Sequence, residues 1–194
     1  MLLTDPVTLE NDWVRLEPLS PDHSGDLAVA TEGLEYAWYT SAPTADGIPG
    51  EIERRLAWRA EGHMNPWAVR RRSTGRVVGM TTFCNIVQAD RHVEVGHTWL
   101  SPSAQRTEVN SAAKLALLGH AFEACDAIAV ELRTHFHNRQ SRAAIARLGA
   151  KQDGILRNHR LGPGGTLRDT VVFSILPHEW PAVRLGLEER LSRG

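Results

Sequence analysis

The stretch from His92 to Thr134 reads as strand, short polar loop, helix and strand, and that succession narrows the folds open to the chain. His92-Val93-Glu94-Val95-Gly96-His97-Thr98-Trp99-Leu100 has the composition of a strand, and Pro102 ends it. Gly96 within it signals a bulge or a close backbone approach. The polar run Gln105-Arg106-Thr107-Glu108-Val109-Asn110 then leads into an Ala/Leu-rich helix from Ser111 to Cys125, and Ala129 to Thr134 forms the next strand. A strand–helix–strand unit of this kind closes as a right-handed parallel crossover. A second helix follows, capped by Asn138 and stopped at Gly149.

Antiparallel signals surround this unit. Val14 to Leu19 alternates apolar and charged residues, and Ser20-Pro21 opens a helix that runs towards Thr31. A second helix fits Glu51 to Glu61. Trp67 to Arg70 and Val77 to Phe83 flank a turn at Ser73-Thr74-Gly75. Lys151 to His159 and Thr170 to Ile175 flank Gly162-Pro163-Gly164-Gly165, and the tail from His178 adds a short helix. The order β, α, α, β, β, β, α, β, α, β, β defines an α/β (α+β) chain with a mixed sheet.

Composition excludes several classes. The chain has 194 residues, 42% of them hydrophobic, and a net charge of -1. That length suits one domain over 1–194 with a core of its own. Near-neutrality argues against direct binding of nucleic acid over the whole surface. No run of about 18 apolar residues spans a membrane, and the N-terminus lacks the parts of a signal peptide, so a cytoplasmic protein is expected. Cys84 and Cys125 have no ligand spacing and read as buried fillers. His135 and His137 are the nearest histidine pair, without a third ligand, so no metal is expected.

Two loops carry chemistry. A helix start exposes unpaired N–H groups and the positive end of the helix dipole, which suits a phosphate at 105–110. Asn138-Arg139-Gln140-Ser141 places Asn and Ser on one helix face. Either loop also reads as an ordinary β–α connection or an N-cap.

The order of elements resembles the GNAT acyltransferase superfamily, and within it the ribosomal-protein N-terminal (alanine/serine) acetyltransferases. The resemblance rests on Val95 to Pro102, Val109 to Lys114, Asn138 to Ala150 and Arg168 to Ile175 with Glu179-Trp180-Pro181, and covers Val14 to Trp180. It implies a largely antiparallel, splayed sheet of about seven strands with helices on both faces. It also implies an acyl-CoA-binding core at 92–150, with acetyl-CoA as co-substrate and no metal. The pantetheine arm would bond main chain near Trp99 and Leu100. The pyrophosphate would sit on Gln105, Arg106, Thr107, Glu108, Val109 and Asn110. Asn138 would hold the pantetheine or the loop, and Ser141 would protonate the leaving thiolate.

One position departs from the family pattern Gln/Arg-x-x-Gly-x-Gly/Ala: Glu108 stands at the first Gly. A carboxylate ~6 Å from a phosphate costs roughly 3 kcal/mol at an effective dielectric of about 20, less if it turns to solvent or pairs with Arg106. Glu is also a poor substitute for Gly where the backbone is left-handed.

The reaction implied is direct attack of an amine on the thioester in a ternary complex. Deprotonating an α-amine at pH 7 costs about 1 kcal/mol and a Lys about 4–5 kcal/mol, which favours a protein N-terminus as acceptor. Glu94, on the strand beside the notch, is the candidate base. His97 is the alternative, although an ideal strand turns it to the other face unless a bulge intervenes. The helices of 1–65 would flank the acceptor, and Trp38, Tyr39 and His97 would contact it. Trp67 fits either that groove or the core. A small amine, an antibiotic, a Lys or a succinyl donor remains open, as does a CoA-binding sensor without catalysis. Monomer and homodimer are both compatible with the sequence.

Charge is unevenly spread. Residues 1–65 carry 12 acidic and 4 basic side chains, a net of -8, and residues 127–170 carry 3 and 8, a net of +5. This polarity suits a basic acceptor at one end of the cleft and a phosphate-bearing co-substrate at the other.

Overall fold

In the computed structural model, residues 1–34 and 42–193 are described. The strand at the centre of the crossover, β5, spans His92–Leu100 as the sequence predicts, and β6 spans Ala129–His135. Among the described residues they are the one parallel pair, in an eight-stranded sheet whose order is β1-β2-β3-β4-β5-β6-β8-β7. The remaining strands are β1 (Leu9–Glu10), β2 (Val14–Pro18), β3 (Met64–Arg71), β4 (Val77–Val87), β7 (Lys151–Leu161) and β8 (Leu167–Ile175). The sheet has eight strands because Leu9 and Glu10 pair with Leu16 and Arg15, a two-residue strand too short to leave a periodic signal.

The helices are α1 (Ser24–Ala30), α2 (Ile48–Ala60), α3 (Glu108–Gly119), α4 (Arg139–Ala146) and α5 (Trp180–Arg193). The helix expected from Ser20 begins as a tight turn over Pro21–His23, where the Ser20 and His23 side chains satisfy each other's backbone groups. α3 starts three residues earlier than Ser111, because Thr107 caps it by accepting from the Val109 N–H. The C-terminal helix is 14 residues long. It buries Trp180, Val183, Leu187 and Leu191 at a spacing of three to four.

Two apolar layers cover the sheet. Val93, Val95, Leu100, Val130, Leu132, Val171 and Phe173 pack beneath α3 and α5. Ala68, Val77, Met80 and Trp99 pack on the other face with Leu27, Ile48 and Ile52 of α1 and α2. Trp67 is fully buried, stands edge-on to Phe83 at 5.1 Å and donates to the Val7 carbonyl at 2.7 Å, which places it in the core. Cys84 and Cys125 are buried and free, as expected. Among the described residues no helix is long and apolar enough to cross a membrane.

β4 and β5 approach so closely that one position admits only glycine. A Cβ on Gly79, whose φ is +155°, would stand 2.1 Å from the Trp99 carbonyl oxygen. Gly79→Ala should therefore lower stability by about 3 kcal/mol or more, against the usual ~1 kcal/mol of a point substitution. Urea unfolding of the two proteins measures the difference.

Candidate active site

The site follows from where β5 and β6 stop pairing. Their ladder holds His92 to Ala129, Val93 to Val130 and Glu94 to Glu131, and goes no further. From Val95 onward the β6-facing edge of β5 has no strand partner among the described residues, so its N–H and C=O groups face a notch. The splay has a local cause. Between Gly96 and Trp99 the β4 pairing slips by one residue, and His97 takes a left-handed conformation with φ +48°. Arg55 of α2 is fully buried and fixes this bulge. Its guanidinium donates to the His97 carbonyl at 3.3 Å, to Thr82 Oγ1 at 2.7 Å and to Glu51 Oε1 at 2.6 Å.

Glu94 is the last paired residue before the strands part. Its carboxylate is buried, accepts from Asn85 Nδ2 at 2.6 Å and lies 3.5 Å from Arg133 Nε. Burial pushes its pKa up, and Arg133 and Asn85 only partly oppose that. Gly96 makes room for it: a Cβ there would meet Glu94 Oε1 and Cys84 Sγ at 2.8 Å each. The glycine is thus required by side-chain space, while its neighbour His97 supplies the left-handed turn. His97 is mostly buried, and burial with the nearby Arg55 and Arg54 pushes its pKa down to about 4, so it is neutral at pH 7. Its Nδ1 is buried without a hydrogen-bond partner.

The loop before α3 is built differently from the family expectation. The left-handed position falls on Arg106, φ +60°, and Glu108 begins the helix in ordinary conformation. Glu108 does not pair with Arg106. It pairs with Arg71 of β3, whose Nε and Nη2 lie 2.9 and 2.8 Å from Oε1. Arg106 is exposed and makes no ion pair among the described residues. Gln105 donates to the Leu100 carbonyl at 2.9 Å, and Thr107 to the Ala104 carbonyl at 2.7 Å. Val109 is buried in the core and Asn110 is partly exposed, so Val109 has only main chain to offer a ligand. The same holds for Trp99, whose ring packs with the α1–α2 layer, and for Leu100, in the layer beneath α3.

Asn138 and Ser141 meet at the start of α4. Asn138 Oδ1 accepts from the Ser141 N–H at 2.9 Å, which caps the helix and fixes both side chains. The Asn138 amide and the Ser141 hydroxyl make no further hydrogen bonds among the described residues. Trp38 and Tyr39, expected at the acceptor, lie outside the described residues. Among the described residues no group of three or more His, Cys, Asp or Glu side chains could hold a metal.

Arg71, Asn85, Arg133 and Arg55 were not singled out from the sequence. Asn85 and Arg133 reach Glu94 from neighbouring strands, and Arg71 meets Glu108 across 37 positions. The one available signal was the alternation of Glu131 and Arg133 on β6, which puts both on a single face.

A mixed sheet that splays after a bulge, with helix starts at the notch, is the architecture of an acyl-CoA-binding acyltransferase. The sequence model of the Acetyltransferase (GNAT) domain matches residues 14–151, and the chain belongs to that family. "Putative ribosomal N-acetyltransferase YdaF" of Bacillus subtilis (strain 168) is 30% identical over 106 residues, 55% of this chain. The chain spans 57% of that relative's length. A GCN5-related N-acetyltransferase from Brucella melitensis superposes with a TM-score of 0.85 and 27% identity, covering 96% of this chain and 86% of its own. Mycobacterium smegmatis RimJ, solved with CoA-disulfide, shares the fold at a TM-score of 0.80 and 22% identity, covering 98% and 97%.

Two predictions follow from the charges. A carboxyl whose pKa is raised on folding keeps its proton longer in the native state, so stability falls as pH rises from the unfolded pKa towards the folded one. Glu94→Gln should therefore raise Tm at pH 7, and the gain should vanish below about pH 4. Thermal melts across pH measure it. Arg71 neutralises Glu108, so Arg71→Ala should weaken CoA binding by about three- to tenfold at low salt. Adding Glu108→Gln should recover the loss, as read by calorimetry.

Proposed function

We propose that the chain, acting as one acyltransferase domain over 1–194, moves an acetyl group from acetyl-CoA to an amine, with a protein N-terminal α-amine as the preferred acceptor. The observation that carries this is the early end of the β5–β6 ladder at Glu94, which opens a strand edge beside the starts of α3 and α4. The family supports acyl-CoA use. The relative's name supports a ribosomal-protein acceptor.

Each residue then has a defined part. The open edge of β5 from Val95 to Leu100 would hold the pantetheine arm by its main chain and polarise the thioester carbonyl. The N–H groups of 105–110 and the Arg106 guanidinium would take the pyrophosphate, with Glu108 held in check by Arg71. Asn138 has its amide N–H₂ group left for the pantetheine. Glu94, with its raised pKa, would accept the proton of the attacking amine, directly or through a water. The amine nitrogen bonds to the acyl carbon as the C–S bond breaks, and the Ser141 hydroxyl would give the thiolate its proton. An α-amine needs only about 1 kcal/mol of deprotonation at pH 7, within the reach of such a base. The acceptor enters on the side of 1–65, where Trp38, Tyr39 and His97 would contact it. Such a protein works in the cytoplasm, where acetyl-CoA and new protein N-termini meet.

Ser141→Ala tests the assignment. Turnover should fall by about tenfold or more while CoA affinity changes less than about threefold, since a proton donor acts only as the thiolate forms. Thiol release and calorimetry give the two readouts, and an unchanged rate removes Ser141 from the mechanism. Failure to bind acetyl-CoA at millimolar concentration overturns the enzyme reading. Binding without thiol release, over a panel of peptides and amines, favours the sensor.

A further inference from the structure

Of the 22 Lys and Arg residues in the chain, two are lysines, Lys114 and Lys151. Lys151 is exposed and pairs with Glu179 at 2.5 Å. Lys114 is the opposite case. It lies on the inner side of α3 with Ala112, Ala113, Leu117 and Leu118, and is buried as they are. Its ammonium donates one hydrogen bond, to Thr98 Oγ1 at 3.3 Å, and has no carboxylate partner among the described residues.

The charged groups around it are committed elsewhere. Glu10 of β1 pairs with Arg15 and Arg72, and Glu17 of β2 with Arg70 and His23. His92 and Glu94 of β5 face Glu131 and Arg133 of β6, and Glu108 of α3 itself pairs with Arg71. After α3, His120 bonds Cys125, and Glu123 pairs with Arg184, which also holds Glu188 of α5. Glu189 of α5 pairs with Arg193, and Arg190 donates to the Arg147 carbonyl. Of the titratable side chains only the Cys84 thiol of β4 bears on Lys114, and burial keeps that thiol uncharged by pushing its pKa up.

A cation buried without a counter-ion costs stability, and an apolar side chain in its place is cheaper. What it offers is position. Thr98 is half-buried, bonds Thr81 Oγ1 at 2.8 Å and belongs to residues 95–100, the stretch of β5 whose edge faces the notch. As an amine nitrogen bonds to a thioester carbon and the C–S bond breaks, electron density gathers on the carbonyl oxygen. A fixed positive charge in a water-poor site favours that oxyanion. Lysine suits such a place better than arginine, because its charge is compact and its stem slender. We propose that Lys114 is a positioning residue for acyl transfer: its ammonium, bonded to Thr98, sets a fixed charge beneath the open edge of β5 and so favours the negative charge that develops on the thioester oxygen. This rests on the acyl-transfer reading and adds to it a group that touches neither substrate.

Lys114→Met nearly keeps the side chain's length and removes its charge. At about pH 7 it should lower the single-turnover rate of acyl transfer by about tenfold and change CoA affinity less than about threefold, as read by thiol release and calorimetry. Burial pushes Lys114 down to about 8, so its charge is present at neutral pH and is lost as pH rises through that value. The ratio of wild-type to Lys114→Met rates cancels the titrations of the acceptor amine and of Glu94. It should stay level below about pH 7 and approach one by about pH 9.5. With two lysines in the chain, isotopically labelled lysine gives two side-chain NMR signals, and the Lys114 signal should titrate where the ratio falls. Thr98→Val serves where Lys114→Met fails to fold: it removes the one acceptor, so the NMR midpoint and the fall in rate should move together to lower pH. A ratio near one at neutral pH, a loss that is the same at every pH, or an NMR midpoint that moves while the rate profile stays overturns the role of Lys114 and leaves acyl transfer standing. Absence of turnover in the wild type with every amine overturns both.

Discussion

The three-pair parallel ladder between β5 and β6 is the constraint on which the rest of the arrangement depends. Had it continued past Glu94, every N–H and C=O of Val95 to Leu100 would be spent on strand pairing. The bulge at His97 stops it by turning the strand, and a left-handed histidine is an unfavourable conformation that the surroundings must sustain. Arg55 sustains it from one side by holding the His97 carbonyl. Lys114 of α3 works from the other: it is buried and donates to Thr98 Oγ1 at 3.3 Å, and Thr98 bonds Thr81 at 2.8 Å. Two buried cations on opposite faces therefore pin one short stretch of backbone. Burying either costs desolvation, which pushes Lys114 down to about 8. A chain of this size tolerates such cost only where geometry matters more than stability.

Glu94 shows the same trade-off in a form that bears on chemistry. In water its carboxyl would be ionised far below neutral pH and would be a feeble base. Burial opposes ionisation and raises basicity, while Arg133 and Asn85 keep the charged form accessible. Glu131 moderates Arg133 by claiming it at 2.6 Å, nearer than Glu94 at 3.5 Å. Without Glu131, Arg133 would hold Glu94 more strongly in its ionised form and weaken it as a base. The raised pKa thus comes first from desolvation, with the neighbouring Glu131 charge adding to it and Arg133 and Asn85 opposing it.

Much of this fold was legible in the sequence because its signals are local. The strand His92–Leu100, the Asn138 cap and the Gly149 stop each depend on a few neighbouring residues. The burial of Cys84 and Cys125 was readable from apolar context. Pairwise chemistry was not legible, since Arg71 finds Glu108, and Asn85 finds Glu94, only once the strands are laid side by side. Gly96 marked the bulge correctly but for a different reason, as its missing Cβ leaves space for a carboxylate and the unusual φ belongs to His97. The backbone objection to Glu108 is met for a similar reason. The loop moves its left-handed residue to Arg106, so a helix-forming Glu fits where the family pattern has Gly, and a partner from β3 carries its charge.

These charges divide the molecule by face more than by segment. Summing residues along the chain assigned the basic stretch to the co-substrate, because α3 and α4 flank it. The sheet redistributes that stretch, since alternate residues of a strand go to opposite faces. Val130 and Leu132 enter the core, whereas Glu131 and Arg133 go to the side of Glu94. Arg133 and Glu131 therefore stand beside Glu94, where a sum along the chain does not place them. Within that side Arg133 is shared by two carboxylates, so the charge at the end of the β5–β6 ladder is set by three side chains on adjacent strands and not by the sum over 127–170.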